Sequence, residues 1–361
     1  MRDRSKLVPD AREALMAAVA FPRHAATYLP ETTLLSYNVE LKRRGGFVGD
    51  RASSASFYRI IEAARVQARR RGSDPFGDVA PADLRKAMLE RVLRRGSSAA
   101  TVIVHAAIDE FARALVGVIG TFQEKAWPRM DRVVIGGGFR HGRIGELAIA
   151  RAQALLAESG SSIRLHPIRH HPDEAGIAGA IRLVPAWLLN GFDAALGVDI
   201  GGGSIRCGIV RYRGASRTRL RKVAVTESLE WEHRDDAASR TAVVDELALM
   251  IDRLAHQAKR EGVALAPFVG VGCPGRIDAD GRIDRGTQNL PGDWTALGFH
   301  LPTEIGRRLS AVGRERPVVL MHNDAVVQGL SEFSRMRDVK TWAVLTIGTG
   351  LGNAAFFNRP S

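Results

Sequence analysis

Two glycine-rich turns, each set between apolar strand-like runs, hold the residue types best suited to chemistry in this chain. The first is Val198-Asp199-Ile200-Gly201-Gly202-Gly203-Ser204, with Ile205 to Val210 following. Glycines lack a Cβ and tolerate positive φ, so backbone amides in such a turn can converge on an anion. Ser204 adds a hydroxyl donor, and Asp199 at the strand end is suited to hold a metal-bound water beside phosphates. A strand rather than a helix follows, so the turn is neither a P-loop nor a Rossmann turn. The plain alternative is a tight hairpin between two core strands. The second turn is Ile347-Gly348-Thr349-Gly350-Leu351-Gly352, again between strands. Two such hairpins in one chain are what a clamp on nucleotide phosphates requires, and the pair is more specific than either member.

Asn323-Asp324 follows the strand-like Val318 to Met321 and precedes the helical Ala325 to Phe333. A carboxylate there is placed to act as general base on a hydroxyl; an ordinary helix cap is the competing reading. Cys273-Pro274-Gly275, Asn289-Leu290-Pro291 and Trp294 make either a rigid wall facing a substrate or plain turns. Gly136-Gly137-Gly138 with Gly142 approximates a dinucleotide fingerprint, yet no acidic residue ends the next strand. These glycines are better read as the face on which adenine rests. His170 and His171 have no matching ligand cluster and read as surface histidines.

The elements that must position these residues alternate. Ser56 to Ile119 is helical in pattern, broken near Gly72–Gly77, and Ala99 to Ile119 has small side chains suited to close packing. A strand at Arg132–Ile135, a helix, a strand at Ile163–Pro167 and a helix at Asp173–Leu189 indicate an α/β lobe. Ala194 to Tyr212 reads as two strands around the first glycine turn, and Arg219 to Thr226 as a third. A helix over Ala242–Glu261 and strands at Phe268–Gly272, Val318–Met321 and Trp342–Ile347 complete the pattern. Residues 1–30 form a leader of uncertain structure, with an amphipathic helix over Glu13–Phe21 rather than a signal peptide.

The chain has 361 residues, 45% hydrophobic and 25% charged, which suits two globular lobes. No apolar run approaches the ~18 residues of a membrane span. Two cysteines, Cys207 and Cys273, exclude a cysteine-rich zinc module and fit a reducing cytoplasm. The net charge of +13 suits either polyanionic ligands or a solvated, arginine-rich surface; its dense run, Arg213 to Lys222, falls in a hairpin.

The motifs resemble the ROK family of sugar kinases and sugar-responsive repressors, within the actin-like ATPase superfamily. DIGGGSIRCGIV, GVGCPGRID, QNLPGDW, HNDAVVQGLSEF and LTIGTGLG are similar to the family's first half, in its order. MDRVVIGGGFRHG and DEAGIAGAIRLV are similar to its final third, yet they come first, so the order is circularly permuted; a fragment of a tandem array is the alternative. The resemblance implies a two-lobed, ribonuclease H-like α/β fold. Residues 31–172 would form the larger lobe, 173–325 the smaller lobe, and 326–361 would return to the larger.

Under the resemblance Asp324 is the base that receives a sugar hydroxyl's proton, and Asn323, Asn289 and Glu40 orient the sugar. Gly201, Gly202, Ser204, Gly348, Thr349 and Gly350 hold phosphates, Asp199 positions Mg²⁺ through water, and Gly137 and Gly138 border adenine. ATP is the expected donor. Many family members carry a zinc loop after a Glu–Gly–His segment. Here Asn38-Val39-Glu40-Leu41-Lys42-Arg43 resembles the zinc-free, polyphosphate-type glucokinases, with Arg43 in the histidine's place. Polyphosphate is therefore an alternative donor, and a sensor without turnover an alternative function. The expected partners are a hexose-type sugar and a nucleotide, without nucleic acid or membrane; a homodimer stays open.

Overall fold

The computed structural model describes residues 22–96, 98–216, 219–233, 239–287, 289–309, 311–313 and 315–359. The expected helix over Glu13–Phe21 lies outside them, as does the tip of the Arg213–Lys222 hairpin. The chain divides into two compact units. Unit 1 comprises residues 1–38, 169–344 and 353–361, and unit 2 comprises 39–168 and 345–352. These cuts fall at other places than the 172/173 and 325/326 junctions expected from sequence.

The strands in chain order are β1 (Thr33–Tyr37), β2 (Lys42–Arg43), β3 (Gly46–Phe47), β4 (Arg132–Gly136), β5 (Arg164–Pro167), β6 (Ala194–Ile200) and β7 (Ile205–Ser216). They continue as β8 (Arg219–Trp231), β9 (Leu265–Cys273), β10 (Arg276–Ile277), β11 (Ile283–Arg285), β12 (Val318–Asn323), β13 (Thr341–Ile347) and β14 (Leu351–Phe357). The helices are α1 (Ser54–Arg70), α2 (Lys86–Arg95), α3 (Ala99–Lys125), α4 (Arg143–Glu158), α5 (Pro172–Ala180), α6 (Arg240–Arg260), α7 (Leu301–Arg308), α8 (Asp324–Ser331) and α9 (Phe333–Met336).

The main sheet of unit 1 runs β12-β9-β6-β7-β8. β6, β9 and β12 are parallel, while β7 is antiparallel to β6 and β8. Numbered from β6, the order is 3-2-1-4-5 with only the second strand reversed, the ribonuclease H-like arrangement that the resemblance implies. Every residue of β6 is buried, as expected for a central strand covered on both faces. α6 buries one stripe (Val243, Val244, Leu247, Ile251, Leu254) in a core with Val198, Val269 and Val271. Ser239 caps this helix by accepting from the Ala242 amide at 3.2 Å.

The second large sheet runs β1-β14-β13-β4-β5. β1 pairs antiparallel with β14, Thr33 opposite Phe357 and Tyr37 opposite Ala354, so an amino-terminal strand zips to a carboxy-terminal one. Arg359 continues the seam by donating to the carbonyls of Leu29 and Pro30 at 2.6 and 2.7 Å. Counting from β13 through β14 and on to β1, β4 and β5 gives the order 3-2-1-4-5 again.

The expected helix Asp173–Leu189 is shorter. α5 ends at Ala180, the 3₁₀ turns Ile181–Leu183 and Ala186–Leu189 carry the chain on to Leu189, and between them Val184 is extended at φ −112°, ψ 150°. Pro185 is the cause, since its ring excludes the α conformation from the residue before it. The helical stretch 56–119 likewise divides into α1, α2 and the start of α3. Among the described residues no helix is long and apolar enough to cross a membrane.

Candidate functional site

The carboxyl ends of three parallel strands in unit 1 meet in register. Asp199 of β6 lies opposite Gly272 of β9, which in turn lies opposite His322 of β12, and Asn323 lies opposite Cys273. Asp324, two residues beyond His322, therefore emerges just past the sheet edge, where α/β sheets bind their ligands. The capping question is resolved by its neighbour: the buried Asn323 side chain accepts from the Ala325 amide at 3.0 Å. Its Nδ2 donates to the Gly275 carbonyl at 2.9 Å, so Asn323 locks strand end, helix start and the Cys273–Gly275 turn together. His322 is buried beneath; its Nδ1 accepts from the Asn323 amide at 2.8 Å, and Nε2 donates to the Ala26 carbonyl at 3.3 Å. Burial lowers its pKa to about 4.

Asp199 is buried and its Oδ1 has no hydrogen-bond partner. Burial, then the charges of Asp324 and Asp173, push its pKa up to about 7 against the pull of Arg206. Burial also raises Asp324 to about 6. Arg206, the cross-strand neighbour of Asp199, holds Asp173 at 3.0 Å and Glu230 at 2.6 Å. Gly176 of α5 packs so closely that a Cβ would stand 2.5 Å from Asp199 Oδ1.

In the first glycine turn the Gly201 amide donates to the Ser204 carbonyl at 2.9 Å. Nε2 of the buried His233 donates to the Gly201 carbonyl, also at 2.9 Å. Both polar groups of Gly201 are thereby engaged. Neither Gly201 nor Gly202 has positive φ, nor does Gly348 or Gly350, which corrects the conformational reason expected for them. What Gly202 supplies is close approach: a Cβ there would lie 2.8 Å from Cβ of the exposed Asn289. Ser204 is buried. Structure thus brings Asp199, Gly201, Gly202, Ser204, Asn289, Asn323 and Asp324 to one end of the unit 1 sheet. Leu290 and Trp294 are buried in the core, and the Trp294 indole donates to the Pro291 carbonyl at 2.9 Å; they do not form a substrate-facing wall.

Unit 2 holds the other residues. Gly137 has φ +81°, and a Cβ on it would lie 2.6 Å from the Ile347 amide nitrogen, so the adenine-type glycines abut the second glycine turn. There the Gly348 amide donates to the Gly350 carbonyl and the Ser54 amide to the Gly348 carbonyl, both at 2.9 Å. Thr349 is exposed, as are Glu40 and Arg43. Lys86 of α2 donates to the carbonyls of Gly138 and Phe139 at 2.9 and 2.8 Å. Glu90, one turn on, accepts from the amides of Arg143 and Ile144 at 3.1 and 3.0 Å. This carboxylate occupies the α4 N-terminus, where a dinucleotide's pyrophosphate would bind, which removes the Rossmann alternative. His171 caps α5 and pairs with Asp173 at 3.1 Å.

Sequence reasoning missed His233, Arg206, Gly176, Lys86 and Glu90. Gly176 and Arg206 lie inside the quoted DEAGIAGAIRLV and DIGGGSIRCGIV; the other three carried no signal.

Residues 195–360 match the model of the ROK family. A glucokinase of Thermotoga maritima is 31% identical over 159 residues, 44% of this chain and 42% of the relative. Among solved structures, a ROK family glucokinase from Streptomyces griseus in complex with glucose and AMPPNP has a TM-score of 0.34 and 22% identity, covering 46% of this chain and 45% of that one. An inorganic polyphosphate/ATP-glucomannokinase from Arthrobacter sp. strain KM has a TM-score of 0.33 and 26% identity, covering 46% and 58%. The chain spans 42% of the length of the curated relative it matches. The similarity to the ROK family extends over residues 195–360, fewer than half of the chain's 361.

Proposed function

We propose that this protein is a sugar kinase that transfers a phosphoryl group from ATP to a hexose-type hydroxyl, with Asp324 as general base. The observation that carries the reading is the Asp324 carboxyl. It is half-buried at the end of the parallel strands, with its pKa raised to about 6, while Asn323 does the capping. A base near this value is ionised at neutral pH yet basic enough to take a hydroxyl proton as the oxygen attacks. Asn289, beside Gly202, and Asn323 orient the sugar, and the amides following Gly201, with Ser204, receive phosphate oxygens. Phosphoryl transfer needs chiefly positioning and charge neutralisation, and these residues supply the positioning. From unit 2 the same reading takes Gly348, Thr349 and Gly350 for phosphate, Gly137 and Gly138 for adenine, and Glu40 for the sugar.

The residues fit a magnesium ion held through water. Asp199 Oδ1 is buried without a partner, and among the described residues no group of three or more His, Cys, Asp or Glu could hold a metal alone. Such an ion, when bound, neutralises charge on the donor's phosphates. Permuted order belongs to the proposal too. The family match begins at residue 195, the motifs of the family's final third precede it, and β1 completes the sheet next to β14.

An ADP-release assay over a panel of hexoses tests this reading. Turnover of at least one sugar by the wild-type chain, lost in Asp324→Asn, is expected. Sugar binding without turnover across the panel would replace the kinase with the sensor alternative.

A further inference from the structure

Three glycines in a row, Gly201 to Gly203, make the first glycine turn easy to deform, because a peptide between glycines turns over at little steric cost. Turning over the Gly201–Gly202 peptide would put a carbonyl where an amide had been. Two bonds oppose this. The Gly201 amide donates to the Ser204 carbonyl, and the Gly201 carbonyl accepts from Nε2 of His233, both at 2.9 Å. A carbonyl only accepts, so the proton of the imidazole sits on Nε2. His233 is 2% exposed and lies just past the end of β8, where Trp231 stands opposite Ile205, the first residue of β7. Its ring packs 6.1 Å from that of Trp231. In a trans peptide the carbonyl and the next amide point in opposite directions. With the Gly201 carbonyl aimed at His233, the Gly202 amide therefore faces away from the imidazole. Among the described residues, the amides of Gly202, Gly203 and Ser204 have no acceptor within the protein.

We propose that His233 is a positioning residue for the nucleotide: by holding the Gly201 carbonyl, it aims the Gly202 amide at the donor's phosphates. The imidazole touches neither substrate and acts only through the peptide it fixes. Orientation matters twice here. An amide facing a phosphate oxygen makes a charge-assisted hydrogen bond, whereas the turned-over peptide would set a carbonyl oxygen against the same negative charge. The inference rests on reading Gly201–Ser204 as a phosphate turn.

Calorimetric titration of the 361-residue chain with AMPPNP and magnesium, without sugar, tests the role apart from turnover. His233→Leu keeps an apolar body in the pocket and removes the donor; it should weaken AMPPNP binding at least ~10-fold, the scale of one hydrogen bond to a charged group. His233→Gln carries an amide nitrogen near the place of Nε2 and should restore most of the affinity. His233→Asn carries it one bond short and should bind as poorly as His233→Leu. In steady-state kinetics the loss should fall on KM for ATP, with kcat within about 2-fold of wild type, because the turn holds the donor before and during transfer alike. Should His233→Leu fail to fold, His233→Gln against His233→Asn makes the same comparison. Leu and Asn variants that melt lower yet bind AMPPNP like wild type would make His233 merely structural and overturn the proposal. A Gln variant that binds no better than Asn overturns it too. In either case the phosphate turn itself stands. Absence of AMPPNP binding by the wild-type chain strikes the phosphate turn, and this inference with it.

Discussion

Gly176 and Asp199 are in direct packing contact: a Cβ on Gly176 would stand 2.5 Å from Asp199 Oδ1. The helix that supplies Gly176 thereby forms one wall of the carboxylate's pocket, and Asp199 cannot rotate toward it.

Gly176→Ala measures this contact. In an exposed helix interior the change would stabilise by about 1 kcal/mol. Here the methyl meets a buried carboxylate, and overpacking should instead destabilise by roughly 1–3 kcal/mol. Urea unfolding of the two proteins decides the sign; an equal or higher midpoint in the variant would remove the wall.

Asp324→Asn should lower kcat by at least ~10²-fold, the scale of a lost general base, while KM for the sugar stays close to wild type. A parallel loss of sugar binding and folding stability would make Asp324 structural. Steady-state kinetics with a melting curve separate the two.

Stability of the ligand-free chain should depend on pH through Asp199. Its folded pKa of about 7 lies above the ordinary carboxylate value of 3.8, so the folded state binds the proton more tightly. Its contribution is present at low pH and is lost as pH rises from about 4 through about 7, at on the order of 1 kcal/mol per pH unit. His322, lowered from 6.5 to about 4, works the other way: its contribution is present above 6.5 and is lost as pH falls toward 4. Comparing Asp199→Asn with wild type isolates the first effect. The variant should melt higher than wild type at pH 8, with the advantage shrinking toward pH 4. A constant difference across that range would contradict the raised pKa.

Glu90→Ala should destabilise by about 0.5–2 kcal/mol, the worth of a helix cap, since the amides of Arg143 and Ile144 lose their acceptor. Glu90→Gln retains one carbonyl oxygen and should recover part of the loss. Chemical denaturation of the three proteins checks the order, and an unaltered Glu90→Ala would show that water caps the helix equally well.

What the sequence by itself determined is local. Alternating apolar runs placed the strands on both sides of Gly201–Ser204 and Gly348–Gly350, because strand period and turn composition are written within about ten residues. The same local grammar put Asp324 at a strand end. It also contained the helix break before Pro185, a signal present in the dipeptide but passed over. Tertiary structure alone decided which of Asn323 and Asp324 caps α8, since that turns on the Gly275 carbonyl drawing Asn323 inward across 48 residues. It decided why Gly202 and Gly176 are glycine, through Asn289 and Asp199, where sequence suggested backbone freedom for Gly202 and no reason for Gly176. His233 on Gly201 and Glu90 on α4 are likewise contacts over 32 and more than 50 residues. Their partners are backbone atoms, which have no residue type and leave no pattern in a sequence. A carboxylate's pKa belongs to the same class, because burial and neighbouring charge exist only once the chain has packed.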